Sequence, residues 1–192
     1  MWKPLLSSAL LAAAAASSGT AAPQGNGTWH TFVSEAGHFQ VDLPTDPDVR
    51  SEAERFTLLG PVSGSIYAVR SGDLQLAVEV RDLPALASAL VPAALILDET
   101  REGVVAHMDA VEIRDRETTH QGYPARDFVY QIPGDSPDFE RALAVLVEGR
   151  LYLVTGRSPR RDARSRQIER FFESFRLTPG AQAGATASQP RE

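Results

Sequence analysis

The sequence predicts an α+β domain: an antiparallel β-sheet of about six or seven strands sandwiched by helices. Three observations lead to it. Apolar and polar residues alternate with period two in several short runs, each closed by Gly, Pro or Asp turn chemistry. Helical periodicity occurs in two isolated places, one mid-chain and one near the end, and strand runs broken by isolated helices indicate α+β rather than a parallel α/β sheet. Residues 142–154 are the most apolar stretch outside the N-terminus. With Glu148-Gly149-Arg150 inside them, they read as two core strands joined by a tight turn.

The first residues read as a signal peptide. Met1-Trp2-Lys3 is a basic start, residues 5–16 carry no charge, and small residues follow. The apolar run is too short for a membrane span, which takes about 20 residues. Pro23 disfavours a cut directly before it, so cleavage is expected after Ala21, leaving 171 of the 192 residues. A flexible leader over 22–27, one domain over 28–178 and a disordered tail over 179–192 are expected; the tail has no apolar residue larger than Ala. A domain of that length fits the usual ~100–200 residues. It can bury a core without metals or disulfides, and the chain has no cysteine. Lys3 is the single lysine, so cleavage moves the net charge from −6 to −7, with 18 Arg against 25 acids. That balance argues against nucleic-acid binding, which calls for a basic surface.

Trp29, Thr31 and Val33, then Phe39, Val41 and Leu43, alternate with their neighbours around a Gly37 turn and predict a β-hairpin ended by Pro44. After a polar loop over 44–47, residues 55–59 predict a strand. Gly60-Pro61 and Ser63-Gly64 predict a break, and residues 66–70 resume it. Leu74, Leu76, Val78 and Val80 alternate with Gln75, Ala77, Glu79 and Arg81, which predicts a half-buried antiparallel strand. Pro84 and Pro92 bracket an apolar segment that reads as one helical turn or a loop. Residues 94–108 predict a helix with Leu97, Arg101, Val104 and Met108 on one flank. Val111 and Ile113 open an edge-like strand, His120 to Pro124 marks a turn, and Phe128, Tyr130 and Ile132 lie on a further strand.

The last helix is expected to start with Ser158 as N-cap and Pro159 at its first position. At 100° per residue, Ile168, Phe171, Phe172 and Phe175 fall in one apolar band, with Arg166, Glu169, Arg170 and Glu173 opposite as a solvated face. Arg160 and Arg161 sit at the positive end of the helix dipole, where cations are disfavoured. Residues 157–176 hold seven Arg and three acids on an otherwise acidic chain. Two readings stay open. The arginines pair internally with Asp42, Asp46 and Asp48 or with Asp135 and Asp138, or Arg157, Arg160, Arg161 and Arg164 form a contact for an anionic partner or lipid headgroup.

Catalytic and cofactor signatures are missing. Val62-Ser63-Gly64-Ser65 lacks the frame of a nucleophile elbow, and no phosphate-binding loop or dinucleotide fingerprint occurs. His30, His38, His107 and His120 are scattered without metal-ligand spacing. Asp42, Asp46 and Asp48 depart from a calcium loop, with Pro47 interrupting them. No catalytic residue, metal or cofactor is expected from these patterns.

Trp29-x-x-Phe32-x-Ser34-x-x-Gly37-x-Phe39-x-Val41-x-Leu43-Pro44, Gly122-Tyr123-Pro124, Arg150-Leu151-Tyr152 and the closing Phe171-Phe172-Glu173-Ser174-Phe175-Arg176-Leu177 together resemble secreted bacterial members of the PsbP-like superfamily. The resemblance covers nearly all of residues 28–178. It implies the sheet-and-helix sandwich and an accessory, assembly or binding role without a shared catalytic set. With the leader, it points to a periplasmic or secreted module that binds an envelope protein. A small-ligand or lipid-binding module is the alternative.

Overall fold

The computed structural model describes residues 28–57, 60–134, 137–159 and 166–181. The expected signal peptide, the leader, Arg160, Arg161, Arg164 and the tail from residue 182 lie outside them. Among the described residues the chain orders as β1 (His30–Ser34), β2 (Phe39–Leu43), β3 (Asp48–Thr57), β4 (Gly60–Ser71), β5 (Leu74–Asp82), α1 (Ala85–Leu90), α2 (Ala93–His107), β6 (Val111–His120), β7 (Tyr123–Ile132), β8 (Asp138–Val147), β9 (Arg150–Ser158), α3 (Arg166–Ser174) and β10 (Arg176–Leu177).

Seven strands form one antiparallel sheet in the order β3-β4-β5-β9-β8-β7-β6, and β1-β2-β10 form a small second sheet. The large sheet is two meanders. β3 to β5 run as consecutive hairpins, as do β6 to β9, and β5 joins β9 to make the sheet continuous. The α1–α2 segment carries the chain from β5 to the far edge at β6. β9 is therefore the central strand, and its partner β8 turns into it through Glu148 and Gly149, both at positive φ (42° and 91°), the geometry of a type I′ hairpin.

The sheet is covered on both faces. One face carries Leu76, Val78, Val145, Tyr152 and Val154 against α3 and the small sheet, whose Phe39 and Val41 are fully buried. The other carries Phe128, Ala142, Ala144, Leu151 and Leu153 beneath Ile96, Leu97 and Val104 of α2. The expected sandwich is present, but three strands share with α3 the face that helices alone were expected to cover. The predicted aromatic band holds: Ile168, Phe171, Phe172 and Phe175 are buried, each Phe contributing about 1.5–3 kcal/mol.

Several expectations need correction. Gly60-Pro61 and Ser63-Gly64 do not break a strand, because all four lie within β4. Pro61 pairs only with β3, beyond the end of β5, so its missing N–H leaves no ladder position unfilled. A Cβ on Gly64 would lie 2.9 Å from the Val80 carbonyl oxygen, so the glycine answers a close approach of β5 rather than a turn. β5 is not half-buried: Ala77 and Glu79, on its presumed solvent face, are buried. Ser158 ends β9 instead of capping a helix. Packed structure also runs past residue 178, since Ala181 belongs to the core beneath the small sheet.

The two sheets are tied by one aromatic seam. The Tyr152 hydroxyl donates to the buried Gly37 carbonyl oxygen at 3.0 Å, and its ring lies 6.1 Å from Phe175. Phe39 in turn meets Tyr67 edge-on at 5.0 Å and Phe175 at 5.9 Å. Tyr152→Phe leaves the Gly37 carbonyl buried without a donor. It is expected to lower unfolding stability by about 1–3 kcal/mol with an unchanged denaturant slope. Equal midpoints for the two proteins in urea would show that the hydroxyl does not tie the layers.

Candidate functional site

Of the arginines singled out by sequence, the described structure contains Arg157. It lies on β9 one residue past Gly156. Gly156 faces Ile168 and Phe172 of α3, so Arg157 points to the opposite face of the sheet. There its Nε and Nη2 donate to Asp138 Oδ2 at 2.7 and 2.5 Å. The acidic loop has other partners: Asp42 accepts from Arg170 at 2.8 Å, Asp46 meets His30 at 3.0 Å, and Asp48 meets Arg50 at 2.7 Å. Arg170 also stacks over Trp29, so the outer face of α3 is tied to the small sheet rather than merely solvated.

Among the described residues the histidines lie apart from one another along the chain. His120 packs on the Phe175 ring, and burial together with the nearby Arg176 holds its pKa down. His107 is exposed at the end of α2. Among the described residues no three His, Cys, Asp or Glu side chains are arranged to hold a metal ion. Glu140 on β8 is a buried acid. Tyr130 and Thr155 lie beside it, its Oε2 has no hydrogen-bond partner among the described residues, and burial pushes its carboxyl pKa up. Tyr130 beside it is 1% exposed, and its phenol is raised well above the usual range by burial and by Glu140. A general acid or base must reach a substrate, and neither group meets solvent.

Two surface features carry more chemistry. The first is the connection through α1. Residues 83–97 contain no charge, yet Leu86, Leu90 and Leu95 are 57%, 71% and 49% exposed, and α1 buries none of its residues. Its position is fixed from beneath: the Leu83 N–H donates to the Gly149 carbonyl at 2.8 Å, and a Cβ on Gly149 would lie 2.7 Å from Ser88 Oγ. Pro84 and Pro92 stand at the N-cap positions of α1 and α2, so the segment is a short helix clamped between two prolines. The acids nearest in sequence are Asp82, Asp98 and Glu99. Of the neighbouring cations, Arg150 is committed to Asp82 and Arg101 to Asp98 and Glu112. This is an exposed apolar segment whose nearest acids, Asp82 and Asp98, are paired with Arg150 and with Arg101 and Arg126. The sequence marked it as apolar; its exposure could not be read there.

The second is a guanidinium cluster on the α3 side of β6 and β7, which sequence reading missed. Asp127, 2% exposed, accepts from Arg114 at 3.0 Å, from Arg116 at 3.3 Å, and from both Nε and Nη2 of Arg141 at 3.2 and 3.3 Å. The Arg141 guanidinium lies 4.3 Å over the Phe172 ring. A β-bulge builds this corner. Glu112 pairs with Tyr130 and Arg114 with Val129, leaving Ile113 without a partner. That extra residue puts Arg114 and Arg116 on the Asp127 face. It sends Asp115 to the other, where Arg126 of β7 and Arg101 of α2 bind it. The i, i+2 spacing of Arg114 and Arg116 was the only signal in the sequence; the phase set by the bulge was not visible.

No family model and no curated protein matches the sequence. Among solved structures, the solution structure of cyanobacterial PsbP (CyanoP) from Synechocystis sp. PCC 6803 superposes over 83% of this chain and 98% of its own, with TM-score 0.54 and 15% identity. A Pseudomonas aeruginosa protein of unknown function, PA94, aligns over 86% of this chain and 100% of its own at TM-score 0.38 and 11% identity, too low to argue from. The PsbP-like architecture expected from the sequence is the fold observed.

Replacing Glu140 by Gln tests whether the buried acid is a cost carried by the fold. Its pKa is raised in the folded state, so it favours folding in its protonated form, and that contribution is lost as pH rises from the unfolded value through the folded one. Glu140→Gln is expected to raise stability at pH 7 by on the order of 1 kcal/mol, or about 2–4 °C in Tm. The gain should vanish near pH 4. A loss of stability at pH 7 in thermal unfolding would overturn that.

Proposed function

We propose that this chain, which has the PsbP-like fold, is a non-catalytic accessory module of the periplasm or cell exterior that docks onto a protein partner through α1. The observation that supports it is the uncharged, outward-facing Leu86, Leu90 and Leu95 set. Monomeric surfaces rarely expose clustered large aliphatic side chains without an interaction to cover them. The occupant is read as protein rather than lipid because residues 83–97 bring no cation to the exposed leucines. Helices that lie on membranes carry Lys and Arg on the polar face, and α1 has six residues and no cation. A partner surface with an apolar pocket is the complement. Arg160, Arg161 and Arg164 are kept in the proposal as a second contact, with Arg157 anchored to Asp138 at the border of that segment.

The leader pattern of residues 1–21 supports the extracytoplasmic location. No helix among the described residues is long and apolar enough to cross a membrane. A photo-crosslinking residue at position 90, in cells, is expected to give one dominant protein adduct that a residue at position 70 does not give and that Leu86→Asp abolishes. Leu86 is exposed, so the substitution should leave the fold within about 0.5 kcal/mol. Identical adduct patterns from positions 90 and 70, or adducts that survive Leu86→Asp, would sink this surface as the interface. A stoichiometric apolar molecule released from the folded protein by organic extraction would favour the ligand-carrier reading instead.

A further inference from the structure

We propose that Arg114, Arg116 and Arg141, arranged around Asp127, form a binding site for a phosphoryl group. The argument starts from stoichiometry. Burying one carboxylate needs one guanidinium, and Arg141 already supplies it, presenting Nε to one oxygen of Asp127 and Nη2 to the other. Arg114 and Arg116 are then surplus. Each gives Asp127 a single N–H from Nη2. Their Nε and Nη1 groups have no partner among the described residues. The cluster carries three positive charges against one negative.

That surplus is local. On the opposite face of β6 the sign reverses: Arg101 and Arg126 are shared among Asp98, Glu102, Glu112, Asp115 and Glu117. Arg114, Arg116 and Arg141 meet no acid but Asp127 among the described residues. Like charges held this close repel one another, and an anion received between them removes that repulsion.

The donors are also fixed and open. Arg141 is pinned by Asp127 on its edge and by Phe172 on its plane. The side chains of Arg114 and Arg116 are 41% and 64% exposed, so their free donors face solvent. They stand two residues apart on one strand, about 6.6 Å at the backbone, and each is anchored at its tip by a buried acid. Planar forks anchored in this way suit tetrahedral oxyanions. A phosphate monoester or inorganic phosphate carries a charge of about −1.5 to −2 at neutral pH, which matches the net +2. A sugar or nucleotide phosphate, free phosphate and a monoester lipid headgroup share this chemistry.

The test uses the full chain and Arg114→Gln/Arg116→Gln, whose altered side chains are exposed enough to leave the fold intact. Titration with inorganic phosphate at constant ionic strength, against chloride, is followed by calorimetry and by Tm. Co-sedimentation compares phosphatidic acid vesicles with phosphatidylglycerol vesicles of equal surface charge. A saturable phosphate effect weakened at least tenfold in the double variant supports a soluble phosphate ligand. Preference for phosphatidic acid, lost in the variant, with no response to free phosphate, supports a headgroup. Absence of both responses, or equal responses in the two proteins, overturns the proposal and leaves the arginines as structural partners of Asp127.

Discussion

The structure depends on the contact between two sheets made where Tyr152 of the central strand meets the β1–β2 loop. The strand pairing of β8 and β9 is set locally by their turn, but a seven-stranded sheet with one bare apolar face would not persist in water. Phe39, Tyr67, Tyr152 and Phe175 close that face by meeting as tilted and edge-on rings. The Tyr152 hydroxyl satisfies a carbonyl that the closure would otherwise strand. Gly37 is part of the same constraint. A Cβ there would sit 2.6 Å from the Phe39 ring, so only glycine lets the loop come down onto the seam. Once the seam is made, Phe175 fixes the end of α3, and β10 follows directly onto β2.

The other face is closed differently, and this difference makes the surface chemistry asymmetric. α2 packs its apolar flank on β7 and β8, then ties itself to β6 and β7 through Arg101 and Arg126. These are charge-assisted bonds at partly buried positions, where they lose less to water than exposed pairs do. α1 gains no such closure. Its neighbours are β4, the β8–β9 turn and the two prolines, and its leucines face outward while α2 covers the sheet beyond it. One connection thus holds the crossover together and also presents exposed leucines to solvent.

Much of the fold was legible in the chain. Period-two alternation located most of the strands, and the Ile168, Phe171, Phe172 and Phe175 band identified the buried side of the last helix because 3.6-residue periodicity is a local property. Strand ends and breaks were less legible. Pro61 and Gly64 carry turn chemistry, and only the lengths of neighbouring strands show that both sit inside β4. The arginine arc was read from a helix start at Ser158, and that residue proved to be strand, which put Arg157 on the other face, beside Asp138.

The sequence by itself determined the class of fold and the interior, because burial pattern and turn chemistry are written within a few residues of each other. It also determined that residues 83–97 are uncharged and that residues 114 and 116 share a face. Tertiary structure alone decided which face. The bulge at Ile113 shifts β6 by one residue against β7, and a one-residue shift moves every later side chain to the opposite side of the sheet. That shift places Arg114 and Arg116 over Asp127, and Asp115 beneath α2. The exposure of Leu86 and Leu90 was decided in the same way, by where a distant helix and turn happen to end, which hydropathy along the chain does not encode.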